Sequence, residues 1–161
     1  MRNMLASAVF VLVAFASVAH AQGPAAKPAA IEAVGKGVQI YTCKASNGAY
    51  AWSLKAPDAS LQDAKGRFIA KHFAGPSWQA GDGSIVVGAP VSASPSPDAG
   101  AIAWLVLQAK SHSGSGEMAD VQYIVRTRTE GGVAPSTGCD ANHVGGEVRV
   151  PYNAIYLFFR G

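Results

Sequence analysis

From Gly37 onward the chain alternates short β-rich runs with turn residues, and this rhythm is its strongest structural signal. "VQIYTC" and "AYAWSLKA" flank Asn47-Gly48, and Tyr50, Trp52 and Leu54 fall at period two on one face. Asn and Gly accept the positive φ of a two-residue turn, so a hairpin is expected there. "LQD" and "RFIAKHF" flank "AKG" as a second turn, and Asp82-Gly83 marks a tight turn before "SIVVG". Later runs, "AIAWLVLQA", "VQYIVRTRT" and "AIYLFF", are β-branched and aromatic and too short for stable helices. In "AIYLFF" both faces are apolar, Ile155, Leu157 and Phe159 against Tyr156 and Phe158, which predicts a central strand covered on both sides. No stretch past the first twenty residues sustains a helical apolar stripe. The pattern predicts an all-β fold, an antiparallel sandwich or flattened barrel of eight to ten short strands.

Between the runs lie three Ser-, Gly- and Pro-rich loops, "GAPVSASPSPDAG", "SHSGSGEMA" and "EGGVAPSTGCDANHVGGE". The first two are expected to be solvated connections. The third, the longest, is expected to be tied to the scaffold through Cys139.

The start of the chain has a different character. Arg2, an apolar run from Met4 to Val18 and the small-x-small pair Ala19 and Ala21 predict a secretory signal over residues 1–21, cut near Ala21/Gln22. The run of about 15 residues is shorter than the ~20 that span a bilayer, so no membrane insertion is expected. Residues 22–36 mix Ala, Pro and Gly without a period and predict a flexible leader, leaving a single β domain over 37–161. The expected location is periplasmic or extracellular. The 161 residues carry a net charge of +3 with no block of Lys or Arg, which argues against nucleic-acid binding.

Export bears on the two cysteines, Cys43 and Cys139. An oxidising compartment favours pairing them, against the alternative of two thiols acting as ligands or a nucleophile. Closing a loop of about 95 residues would restrain the unfolded chain by roughly 4 to 5 kcal/mol.

Candidate chemistry is sparse. His72 sits in "HFAGPSW", where Gly75-Pro76 is expected to bend the chain, its cis or trans state left open, and Trp78 is expected to plug a core. "CDANH" brings Cys139, Asp140 and His143 close in sequence, though not at a familiar zinc spacing. Ser84 and Ser115 lack a nucleophile elbow, and neither G-x-G-x-x-G nor a P-loop occurs, so no cofactor is expected. Tyr41, Tyr50, Trp52, Trp78 and Trp104 would serve either as core or as an aromatic face for a flat ligand.

Taken in order, "GVQIYTC", "YAW", "LQDAKG", "HFAGPSW", "DGSIVVG", "AIAWLVLQA", "RTRTEGGVAPSTGC" and "VPYNAIYLFF" resemble the exported bacterial and fungal family known as domain of unknown function 3455. The resemblance implies a secreted, largely β domain whose two cysteines belong to the pattern, and it brings no catalytic residues. The expected function is a non-catalytic binding or envelope-associated module for a glycan, an envelope component or a small, carbohydrate or aromatic, molecule. Its ligand-binding residues are expected among His72, Trp78, Asp82, Asp140 and His143. The rival expectation is a small secreted hydrolase or metal-dependent enzyme that uses His72 or His143 with a nearby carboxylate.

Overall fold

The computed structural model describes residues 28–161, so the expected signal over 1–21 lies outside the described residues. Eight antiparallel strands follow in chain order and close into one barrel: β1 (Ile31–Ser46), β2 (Ala49–Gln62), β3 (Phe68–Phe73), β4 (Ser77–Ala80), β5 (Ile85–Ser94), β6 (Trp104–Ser113), β7 (Val121–Gly131) and β8 (Glu147–Arg160). Closure comes from β1 pairing with both β2 and β8. The all-β expectation holds, with the barrel rather than the sandwich realised and with β1, β2 and β8 running 14 to 16 residues instead of short.

The predicted turns are present. Asn47 and Gly48 both take positive φ, 48° and 79°, between β1 and β2, and Gly83 takes 86° between β4 and β5. Gly75-Pro76, a cis peptide, forms the corner between β3 and β4.

Two boundaries differ from expectation. The leader was expected to remain flexible through residue 36, yet β1 begins at Ile31 and pairs Ile31 with Phe158. Ala33 and Gly35 face inward there. A Cβ on Gly35 would lie 2.6 Å from a ring carbon of Tyr156, so a small residue is what lets that ring fill the interior. Small residues bury a face only when a large neighbour covers them, and composition alone conceals this. The expected loop from Gly88 is strand as far as Ser94, because bulges at Val87/Gly88 and Pro90/Ser92 accommodate the proline within the ladder.

Interior side chains follow period two, as in Tyr152, Ala154, Tyr156 and Phe158 of β8, each at most 2% exposed. The opposite face of β8, with Ile155, Leu157 and Phe159, is half-buried rather than covered. Antiparallel order puts the β1–β2, β3–β4, β5–β6 and β7–β8 connections at one end, here called upper, and the other three connections at the lower end.

The lower half is filled. Leu61, Val86, Met118, Val121 and Phe158 are fully buried, and a polar brace ties the lower connections together. Asp82 accepts from the Ser84 hydroxyl at 2.6 Å, the Ser84 amide at 2.9 Å and the Glu117 amide at 2.8 Å. The Ser84 hydroxyl in turn accepts from the Met118 amide at 3.0 Å, fixing the Met118 side chain inside the barrel floor.

At the upper end the long β7–β8 loop is pinned in three ways. Cys43 and Cys139 form a disulfide 96 residues apart in sequence. The Trp52 indole donates to the Thr137 carbonyl at 2.8 Å, and the Tyr41 hydroxyl donates to the Gly132 carbonyl at 2.6 Å. The outer wall carries the ion pair Arg149–Asp58, at 2.6 Å, in mid-strand. Among the described residues no helix is long and apolar enough to cross a membrane.

Candidate functional site

A filled floor and an open upper half leave a cavity of about 320 Å³ inside the barrel mouth. Its apolar wall comes from Leu54 and Pro57 of β2, Pro76 of the β3–β4 corner, Pro90 of β5, and Leu105 and Leu107 of β6. The polar contribution comes from Gln39 of β1, His72 of β3, Trp78 of β4, Arg126 of β7 and Tyr156 of β8, with Lys55 at the rim. Among the described residues no carboxylate lines this space.

His72 and Trp78 are neighbours because β3 and β4 pair in register across the Gly75-Pro76 corner. Their rings stack with centroids 4.4 Å apart and planes within 6°, and the Tyr156 ring meets both edge-on. His72 Nδ1 lies 2.9 Å from the Ser77 carbonyl, which can only accept, so Nδ1 carries the proton in the neutral ring. Burial lowers the His72 pKa to about 4; the Ser77 bond opposes this and the Arg126 charge adds to it. At neutral pH the ring is therefore uncharged, and Nε2 is an acceptor.

Arg126 reaches inward from β7. Its Nε and Nη2 donate to the Ala103 carbonyl at 3.1 and 2.8 Å, which anchors the β5–β6 connection. Burial raises the Tyr156 pKa well above the ordinary tyrosine value and raises that of Tyr152, while the Arg126 charge pulls both down. The two hydroxyls lie 3.0 Å apart. Both hydroxyls are therefore protonated at neutral pH.

Two polar atoms on the cavity residues have no hydrogen-bond partner, Gln39 Oε1 and Trp78 Nε1. Gln39 and Trp78 are 2% and 1% exposed. An unpartnered buried polar group costs about 1 to 3 kcal/mol. The residues around the mouth thus include a buried donor and a buried acceptor that the fold itself does not use.

Of the five sequence-predicted residues, the barrel brings together His72 and Trp78. Asp82 belongs to the brace at the opposite end, where bonds from Ser84 and Glu117 hold its carboxyl below the usual carboxylate range. Asp140 and His143 sit in the upper loop without lining the cavity, joined through Asp140 Oδ1 and His143 Nδ1 at 2.7 Å. The side chains of that pair are 55% and 58% exposed. The bond from His143 lowers the Asp140 pKa. Cys139 is committed to the disulfide, so "CDANH" does not offer a thiolate ligand, and among the described residues no three His, Cys, Asp or Glu cluster. Tyr50 and Trp52 stand apart from Trp78, so the aromatic residues do not form one face.

Sequence reasoning missed Gln39 and Arg126. Both carried a signal. Gln39 shares its alternating face with Tyr41 and Cys43, and Arg126 shares one with Ile124, so each is a polar residue at inward parity in an apolar run.

No curated protein and no solved structure matches the chain. A family pattern does, over residues 24–160, which spans every strand, both cysteines and the whole cavity wall. The chain belongs to the family described as Protein of unknown function (DUF3455).

Proposed function

We propose that this domain is a non-catalytic, exported binding module that holds a small molecule in the mouth of its barrel. The observation that carries this reading is the cavity of about 320 Å³, walled mostly by apolar side chains with a few polar residues among them, two of which, Gln39 and Trp78, keep a buried polar atom that the fold leaves unpartnered. Binding sites are concave, mostly apolar and furnished with a few fixed polar groups, and eight-stranded barrels hold one small ligand in this way. A neutral His72 tied to Ser77, the Tyr156 phenol raised by burial and, among the described residues, no lining carboxylate support an anchoring surface rather than an acid–base pair. The disulfide suits a periplasmic or extracellular location.

The volume sets the ligand's size at about 10 to 15 non-hydrogen atoms. The predominance of apolar walls favours a flat, apolar molecule over a glycan, whose hydroxyls would need more partners than Gln39, Trp78, His72 and Arg126 supply. A fragment panel screened by ¹H–¹⁵N NMR tests the proposal. Ligands are expected to move the Trp78 indole N–H and the Gln39 side-chain amide signals, and Leu105→Trp, which fills the mouth, is expected to abolish the response. A panel that moves only outer-wall signals, or none, would refute it.

A further inference from the structure

The charge inside the mouth is one-sided. Arg126 is half-buried and, among the described residues, has no carboxylate partner. Ala103 occupies two of the five N–H donors of its guanidinium and the Tyr156 hydroxyl engages the side chain as well, which leaves part of the planar fork for a ligand. Lys55 at the rim adds a second positive group, though it is paired with Glu147. Burying a cation without an anion is costly, and the cost falls when an anion arrives with matching geometry.

Trp78 lines the same mouth, and its buried, unpartnered Nε1–H makes the indole a reporter for what enters. The neighbouring lining is aliphatic and aromatic: Leu105 and Tyr156 are the cross-strand partners of Arg126, and Leu54 and Leu107 complete the mouth. A ligand that satisfied all of this would carry a negative acceptor group at one end and a compact apolar body at the other.

Resting on the reading of the mouth as a small-molecule site, we propose that its ligand class is the single-ring carboxylate, with the carboxylate held by Arg126 and the ring against the apolar side chains of the mouth. Charge-assisted, fork-shaped bonding to a guanidinium gives the anion its advantage over a neutral molecule of equal shape. Gln39 Oε1, the remaining unpartnered acceptor, gives a hydroxyl-bearing ring a further advantage.

Benzoate and its neutral isostere benzamide are the probes, titrated into the whole exported chain with the assigned Trp78 indole N–H as readout. Benzoate is expected to bind about tenfold more tightly than benzamide, the factor that one charge-assisted bond supplies. Arg126→Gln is expected to weaken benzoate more than benzamide and so to erase the difference between them, while Arg126→Lys, which keeps the charge but loses the fork, retains part of it. Should Arg126→Gln fail to fold, the wild-type comparison decides alone. Equal affinity for the two probes, or a preference for benzamide, would overturn the carboxylate assignment and leave the small-molecule site standing. If neither probe moves the indole while neutral fragments do, the ligand class is again wrong and the site right. No response to any fragment would remove both.

Discussion

His72 makes acid stability a direct probe of the interior. Its ring is 2% exposed and stacked on Trp78, and burial lowers its pKa from 6.5 to about 4. Between those values the unfolded chain binds a proton that the folded chain refuses, so folding stability falls as pH drops through this window and is fully present above 6.5. The gap corresponds to about 3 kcal/mol in total, of which about 2 kcal/mol is lost between pH 7 and pH 5. Asp63, Asp82 and Asp140 also have lowered pKa values, from 3.8, and their stabilisation is present above that value and lost below it. The two effects therefore occupy separate pH ranges.

The assay is urea unfolding at pH 7 and pH 5, on the wild type and on His72→Asn. The Asn amide can still donate to the Ser77 carbonyl, as Nδ1 does, but it does not titrate. The variant is less stable at both pH values, having lost the stacked ring. What matters is the difference between them: the wild type is expected to lose about 2 kcal/mol more than the variant on going from pH 7 to 5. A wild type equally stable at both, or a variant that falls just as far, would show that His72 is not held neutral by burial and would refute the interior placement of the ring.

Other perturbations act on single features. Replacing Cys43 and Cys139 with Ser is expected to cost about 4 kcal/mol in urea unfolding, from the unfolded-state entropy of a 96-residue loop, and Ellman titration of the native wild type should find no reactive thiol. Ser84→Ala removes the acceptor of the buried Met118 amide and one donor to Asp82, so a loss of about 1 to 3 kcal/mol is expected, with faster amide exchange confined to the β4–β5 and β6–β7 connections. Gly35→Ala would place a methyl 2.6 Å from the Tyr156 ring, and a loss of about 1 to 3 kcal/mol by thermal and urea unfolding is expected. A neutral outcome there would mean that β1 does not run against Tyr156.

Turn chemistry and strand parity made most of this barrel legible in the sequence, because Asn47-Gly48 and Asp82-Gly83 fix local geometry regardless of what surrounds them. Closure was not legible. Whether the last strand meets the first depends on β1 pairing with β8 over Ile31 to Thr42, and half of that ladder lies in a stretch whose Ala and Gly residues read as a leader. The same limit applied to the site. His72 and Trp78 came together because both flank one corner, a local fact, whereas Asp140 was drawn toward them only by its titratable side chain and lies in the loop pinned to Cys43 and Trp52. Gln39 and Arg126 come from strands far apart in the chain, and only the closed sheet places them on one wall.

Stability alone gives no reason for Gln39. It lies on β1 at an inward position, 2% exposed, and its Oε1 has no partner, so the folded protein carries the desolvation cost of that oxygen without a hydrogen bond. A thioether of similar length would fill the same space without that cost. Gln39→Met is therefore expected to leave the ligand-free protein unchanged or to stabilise it by up to about 2 kcal/mol, which would make it an exception among substitutions of buried residues. A site maintained for binding behaves this way, since groups held ready for a ligand are strained or unsatisfied without it. The same substitution should weaken a hydroxyl-bearing ligand, 4-hydroxybenzoate, more than benzoate itself. If Gln39→Met instead destabilises the protein by 2 kcal/mol or more, the amide is serving the fold, and the buried polar wall loses its functional meaning.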